Sequence, residues 1–401
     1  MQRGWPGGVA RRAGVVHGTH QRRMEIPMPD RNLTREGALS RRSKQSLVVL
    51  ITIAAIALML LSAEAAIRLR QMLKYGSATV LEDYYTVDPK LNLRVPVANF
   101  SSGRISINSL GFRGPEIAVP KPPGTVRLAF LGASTTFCAE VSGNEDVWPH
   151  LVTASLSQTF SGARFDYVNG SLPGYALDHL LKNLEHRVAP LQPDVIVIYE
   201  VANNFSGEMR ELAAKHGIIA EAKFQQPTWP SRYSLLWNLV EKNLRVLAAQ
   251  RAAESNQGRL EVDTSTLGND YRQDLSRLVR AAQQNAKLVA VATFSTHLRR
   301  DQTPEVQMRA STSAFFYMPF VTPRLLIEGY GRYNQIIREV ARETGALLIE
   351  GEHDIPGDSI HFADTVHFTD AGSKAMGQRI SRALISSPAL RKILPDSAAV
   401  R

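Results

Sequence analysis

From residue 126 onward, short apolar runs alternate with amphipathic segments, and this alternation restricts the fold more than any other feature of the chain. The runs Val126–Leu131, Phe165–Val168, Asp194–Tyr199, Leu288–Phe294 and Ala346–Ile349 have strand length and are rich in branched and aromatic residues. Trp148–Phe160, Leu177–Val188, Tyr271–Asn285, Tyr330–Glu343 and Asp370–Ile385 carry apolar residues at helical spacing instead. Strands that are apolar on both faces need a helix layer on each side. The pattern therefore predicts an α/β domain over residues 125–390, with a central parallel sheet in a three-layer α/β/α sandwich. Residues 205–270 break the alternation and read as an insertion, helical around Ser234–Gln250, and 391–401 read as a C-terminal tail.

A net charge of +10 invites a nucleic-acid reading, so its location matters. Residues 1–45 hold ten Lys/Arg against three acidic residues, which leaves a net +3 on the rest of the chain. The basicity thus belongs to a Gly- and Arg-rich, aperiodic head that reads as a disordered tail, and no nucleic-acid partner is expected. Directly after it comes an uncharged run, Leu47–Ala63, without the polar stripe of a soluble core helix. As a helix it spans roughly 25 Å, the short end of what a bilayer requires. Residues 46–67 are therefore predicted to form a transmembrane anchor. The basic flank places the N-terminus in the cytoplasm and the domain in the periplasm or outside the cell. The competing reading is a cleaved signal peptide, for which Ala63-Glu64-Ala65 supplies a small-x-small site. Residues 68–124 are turn-rich and read as a juxtamembrane lead-in ending in Pro120, Pro122 and Pro123. The single cysteine, Cys138, excludes an internal disulfide framework or a multi-Cys zinc site, and no cofactor or metal is expected.

In a parallel sheet, chemistry collects at the C-terminal ends of the strands. The first strand stops at Gly132-Ala133-Ser134, which places a serine on a strand-to-helix turn as a nucleophile or as an ordinary helix N-cap. The second ends in a loop holding Gly170 and Gly174, where a backbone N–H can approach a ligand closely. The third is followed by Asn203 and Asn204, amide donors for an oxyanion or caps for the loop. Near the C-terminus, Asp364-x-x-His367 has the spacing that lets a carboxylate orient an imidazole. Phe315–Phe320 reads as core packing, His297 as a solvated loop histidine, and Cys138 as a small buried hydrophobe.

Taken in chain order, Ser, Gly, Asn and Asp-x-x-His resemble the SGNH subgroup of the GDSL hydrolases over roughly residues 125–388. The lead-in Asn108–Glu116 also looks like the segment preceding the domain in membrane-anchored bacterial members. The resemblance implies a flavodoxin-like SGNH fold and a serine esterase that hydrolyses an O-acyl ester of a glycan or lipid-like molecule. It implies Ser134 as nucleophile, His367 as general base and acid, and Asp364 as its orienting partner. The N–H groups of Ser134 and Gly174 and the amide of Asn203 would form the oxyanion hole. An O-acyltransferase using the same residues on a cell-envelope polysaccharide, or a degenerate glycan-binding scaffold, fits the same motifs. Ala133 and Asn204 stand where the family has Asp, which bears on loop hydrogen bonding rather than on a catalytic group.

Overall fold

The computed structural model describes residues 41–75, 84–220, 228–254, 259–395 and 399–400. The basic head predicted over 1–45 lies outside the described residues up to position 40. The chain divides into two units at Met59. Helix α1, Arg41–Tyr75, contains the apolar run. Its Leu, Ile and Val side chains between Leu47 and Leu61 are exposed, and the helix is long and apolar enough to cross a membrane.

The second unit is built on five parallel strands: β1 Thr125–Gly132, β2 Arg164–Ser171, β3 Val195–Tyr199, β4 Leu288–Ala292 and β5 Leu347–Ile349. They lie in the order β5-β4-β3-β1-β2, all parallel. This is the three-layer α/β/α arrangement the sequence predicts, with the SGNH/GDSL fold. Strands β3 and β4 are buried along their whole length, as expected of strands covered on both faces. Helix α2, Ser134–Phe137, is a single turn. Helices α3, Trp148–Thr159, and α11, Asp370–Ser386, pack together in one layer. In the other, α7, Asn269–Asn285, meets both α4, Leu177–Asn183, and α10, Pro323–Thr344.

Three departures from the sequence pattern have local causes. Helix α10 starts at Pro323, seven residues before the predicted Tyr330, because Thr322 caps it by accepting the Leu325 N–H. Helix α5, Ala202–Lys215, occupies the start of the predicted insertion. It buries only Phe205, Met209 and Ala213, one narrow stripe among polar residues. The lead-in is no bare stalk: Tyr85–Asp88 pairs antiparallel with Leu93–Pro96, and Tyr84, Leu93, Ile105 and Phe112 join the main core.

The sheet's register fixes where chemistry can occur. Gly132, the last residue of β1, pairs with Ser171 of β2 on one side and with Tyr199 of β3 on the other. Three strands thus end at one level. The chain leaves β1 toward one sheet edge and comes back at β3 on the other side, which makes this rim the topological switch point.

Candidate active site

Ser134 opens helix α2 two residues beyond Gly132. A Cβ at Gly132 would collide with Thr136 and with the Tyr199 carbonyl, so only glycine lets the turn lie this close to β3. The turn is fixed from several sides. Trp148 Nε1 donates to the Thr135 carbonyl at 3.0 Å, and Asn169 Nδ2 donates to that of Thr136 at 3.3 Å. Arg113, fully buried, donates Nη1 to the carbonyls of Phe137 and Cys138, both at 2.6 Å.

His367 lies on the loop before α11, 233 residues from Ser134 in sequence, and its Nε2 is 2.8 Å from Ser134 Oγ. Its Nδ1 is 2.8 Å from Asp364 Oδ2, while Asp364 Oδ1 accepts the backbone N–H of Val366 and of His367 at 2.9 Å each. The carboxylate therefore fixes both the imidazole and the turn that carries it. Thr365 anchors the loop by donating to the Ala310 carbonyl at 2.6 Å. Burial raises the cost of ionising Asp364, but His367 and the two backbone donors outweigh it and hold the acid at about 2. For His367, burial opposes the imidazolium, yet the charges of Glu140, Asp364 and Glu200 prevail and raise it above the usual imidazole range.

A second Asp-x-x-His, Asp358 to His361, forms the same local pair at 2.8 Å. Only His367 is bonded to Ser134, so one of two identical spacings reaches the serine.

The remaining predicted residues emerge from the same rim. Gly174 has φ +83°, and a Cβ there would strike Arg94, whose Nη2 donates to the Pro173 carbonyl at 2.8 Å. Asn203 lies in the first turn of α5 and donates Nδ2 to the Tyr175 carbonyl at 2.8 Å. Asn204 Oδ1 accepts the N–H of Leu177 at 3.1 Å, the acceptor role an Asp would fill at this place. The exchange of the family Asp for Asn204 thus keeps the link between the second and third loops. Ala133 is buried.

Sequence reasoning passed over Arg113, Arg94 and Glu200. Glu200 follows β3, is buried, and accepts the Asn203 N–H on Oε1 at 2.7 Å, while Oε2 has no hydrogen-bond partner. Burial pushes its carboxyl up to about 8. Its position at the strand end, next to the candidate amide, was the available signal. His297 departs from the solvated loop residue expected: it is half-buried and stacks on Phe362 with ring centres 5.9 Å apart. Cys138 and Phe315 are buried as expected. Among the described residues, no group of three or more His, Cys, Asp and Glu converges as a metal site would require. A cavity of about 560 Å³ opens beyond β4 and β5, lined by Arg299, Tyr330 and Glu352, and none of the predicted site residues lines it.

Residues 130–375 match the model of the GDSL-like lipase/acylhydrolase family. Among solved structures, an acetylxylan esterase from Geobacillus stearothermophilus is similar at 15% identity, covering 66% of this chain and 96% of its own, with a TM-score of 0.38. A lipase/acylhydrolase from Enterococcus faecalis is similar at 15% identity, covering 65% and 95%, with a TM-score of 0.38. No curated protein matches this sequence.

Proposed function

The chain belongs to the GDSL-like lipase/acylhydrolase family and is an ester-hydrolysing enzyme, and on that premise we propose that Ser134, His367 and Asp364 form its catalytic triad. The observation that carries this reading is the unbroken relay Asp364–His367–Ser134, with 2.8 Å at each link. His367 Nε2 takes the Ser134 hydroxyl proton as Oγ attacks the ester carbonyl. The tetrahedral oxyanion is held by the N–H groups of Ser134 and Gly174 and by Asn203. Asn203 Nδ2 gives one proton to Tyr175 and has a second to offer. The C–O bond then breaks, and His367 returns its proton to the departing alcohol. Water attacks acyl-Ser134 by the same route and releases the acid.

The substrate we assign is an O-acyl ester on a glycan or a lipid-like molecule at a membrane surface. Helix α1 supports a single-pass anchor, with the basic N-terminus in the cytoplasm and the domain in the periplasm or outside the cell. The test is hydrolysis of p-nitrophenyl acetate and labelling by a fluorophosphonate, wild type beside Ser134→Ala. Both should vanish in the variant while its thermal melt is unchanged. Hydrolysis or labelling that survives Ser134→Ala overturns the assignment. Added free oligosaccharide, followed by mass spectrometry, reports whether the acyl group passes to a sugar hydroxyl instead of water.

A further inference from the structure

Helix α6, Leu235–Glu254, presents two apolar surfaces. Leu235 faces the protein and is buried, and the helix packs against α9, Thr312–Tyr317. Trp237, Val240, Leu244 and Leu247 recur at helical spacing on another face, and each is more than 40% exposed. Lys242 projects from the side opposite that stripe. At the N-terminal end, Trp229 and Tyr233 are 72% and 66% exposed and lie against each other, with ring centres 5.4 Å apart.

The start of α6 is tied to one residue of helix α1. Glu64 accepts the N–H of Leu235 at 3.0 Å, the N–H of Leu236 at 2.8 Å and the hydroxyl of Ser234 at 2.9 Å. It thereby satisfies first-turn donors that α6 cannot satisfy internally. Arg68 adds a bond from Nη2 to the Tyr233 carbonyl at 2.7 Å. In sequence, Glu64 directly follows the apolar run Leu47–Ala63. A carboxylate at the end of a membrane span belongs at the headgroup level, because deeper placement is costly. Whatever Glu64 holds is therefore held at that level too. Tryptophan and tyrosine are the residues that favour this zone.

We propose that α6 lies along the headgroup–acyl boundary of the membrane entered by α1, with Trp237, Val240, Leu244 and Leu247 dipped into lipid. The occupant of this face is lipid, and the argument rests on the reading of α1 as a membrane span. The contact also reaches the candidate site: α9, on which α6 packs, holds Thr365 through the Ser313 hydroxyl at 2.8 Å, between Asp364 and the rest of the His367 loop. A helix lying in the interface thus steadies the loop that bears Asp364 and His367.

The test uses the full chain in vesicles of equal parts phosphatidylcholine and phosphatidylglycerol. Single cysteines at Leu244→Cys, Lys242→Cys and Leu58→Cys carry an environment-sensitive fluorophore, and native Cys138 is buried and stays unlabelled under native conditions. Lipids bearing a nitroxide near the top of the acyl chain should quench the label at 244 severalfold more than the label at 242. Equal quenching at 244 and 242, or iodide reaching 244 freely from water, overturns the proposal. Protection from iodide without quenching by lipid means that protein, such as a second copy, covers the face, and this overturns it as well. The label at 58 answers the separate question of the span, through quenching by nitroxides placed deep in the acyl chain. Quenching at 244 without quenching at 58 upholds the interfacial helix and overturns the anchor.

Discussion

His367 must be neutral to take a proton from Ser134, yet its surroundings favour the charged form. Burial opposes the charge, and Glu140, Asp364 and Glu200 outweigh that opposition. Because the titration is raised, the base is unavailable below it, and kcat/KM should climb with pH through a value above the usual imidazole range. Glu140 is exposed and makes the largest charge contribution in that direction. Glu140→Gln should therefore move the acid limb to lower pH while leaving the plateau nearly unchanged. The displacement should shrink at high salt, because an exposed charge is screened. An acid limb that stays in place would show that Glu140 does not act on His367. Asn203→Ala removes one oxyanion donor and should lower kcat by about 10²–10³-fold with little change in KM. Equal loss in kcat and gain in KM would instead assign Asn203 to substrate binding or loop structure.

Among the elements, the lead-in contributes most beyond what its composition suggests. Its turn-rich sequence carries Arg113, which is 1% exposed and donates to the carbonyls of Phe137, Cys138 and Arg104 and to Asn144. These bonds close the end of α2, the one-turn helix that opens with Ser134. Arg113→Met fills much of the same volume but orphans buried carbonyls, each at about 1–3 kcal/mol. We expect a loss of about 3 kcal/mol or more in urea unfolding, together with lower activity in the folded fraction. A variant of wild-type stability would mean that water replaces the guanidinium. On the sheet, Arg127 does comparable service from β1: its Nε and Nη2 form a two-pronged pair with Asp166 of β2 at 2.8 and 2.7 Å. This fixes the register that brings Gly132 level with Ser171.

For the molecule as a whole, the decisive property is its relation to a membrane. Arg at the centre of a membrane helix costs about 2.5–3.5 kcal/mol per residue. Ile53→Arg combined with Ile56→Arg should release the protein from membranes under an alkaline carbonate wash, with unchanged p-nitrophenyl acetate turnover per molecule. Retention of this double variant would show that the apolar run is not a span. Much of the architecture was legible in the chain, because period-2 and period-3.6 burial are local signals: the five strands were found within a few residues, as were most of the covering helices. The apolar run was equally plain, since its lack of a polar stripe needs no partner to be recognised. Helix α5 was missed because three buried residues among polar ones leave too weak a stripe. Serine, Gly174, Asn203 and an Asp-x-x-His are likewise visible as residue types at spacings. What the sequence by itself cannot decide is which of two Asp-x-x-His pairs meets the serine, since Asp358–His361 and Asp364–His367 make the same local bond. Only the fold, carrying His367 across 233 residues to within 2.8 Å of Ser134, makes that choice. The same holds for Arg113, Arg94 and Glu200, ordinary charged residues until burial against a distant backbone gives their atoms something to hold. Periodicity records which face of an element is buried, whereas a site depends on which distant elements meet, and that is set by strand order and register.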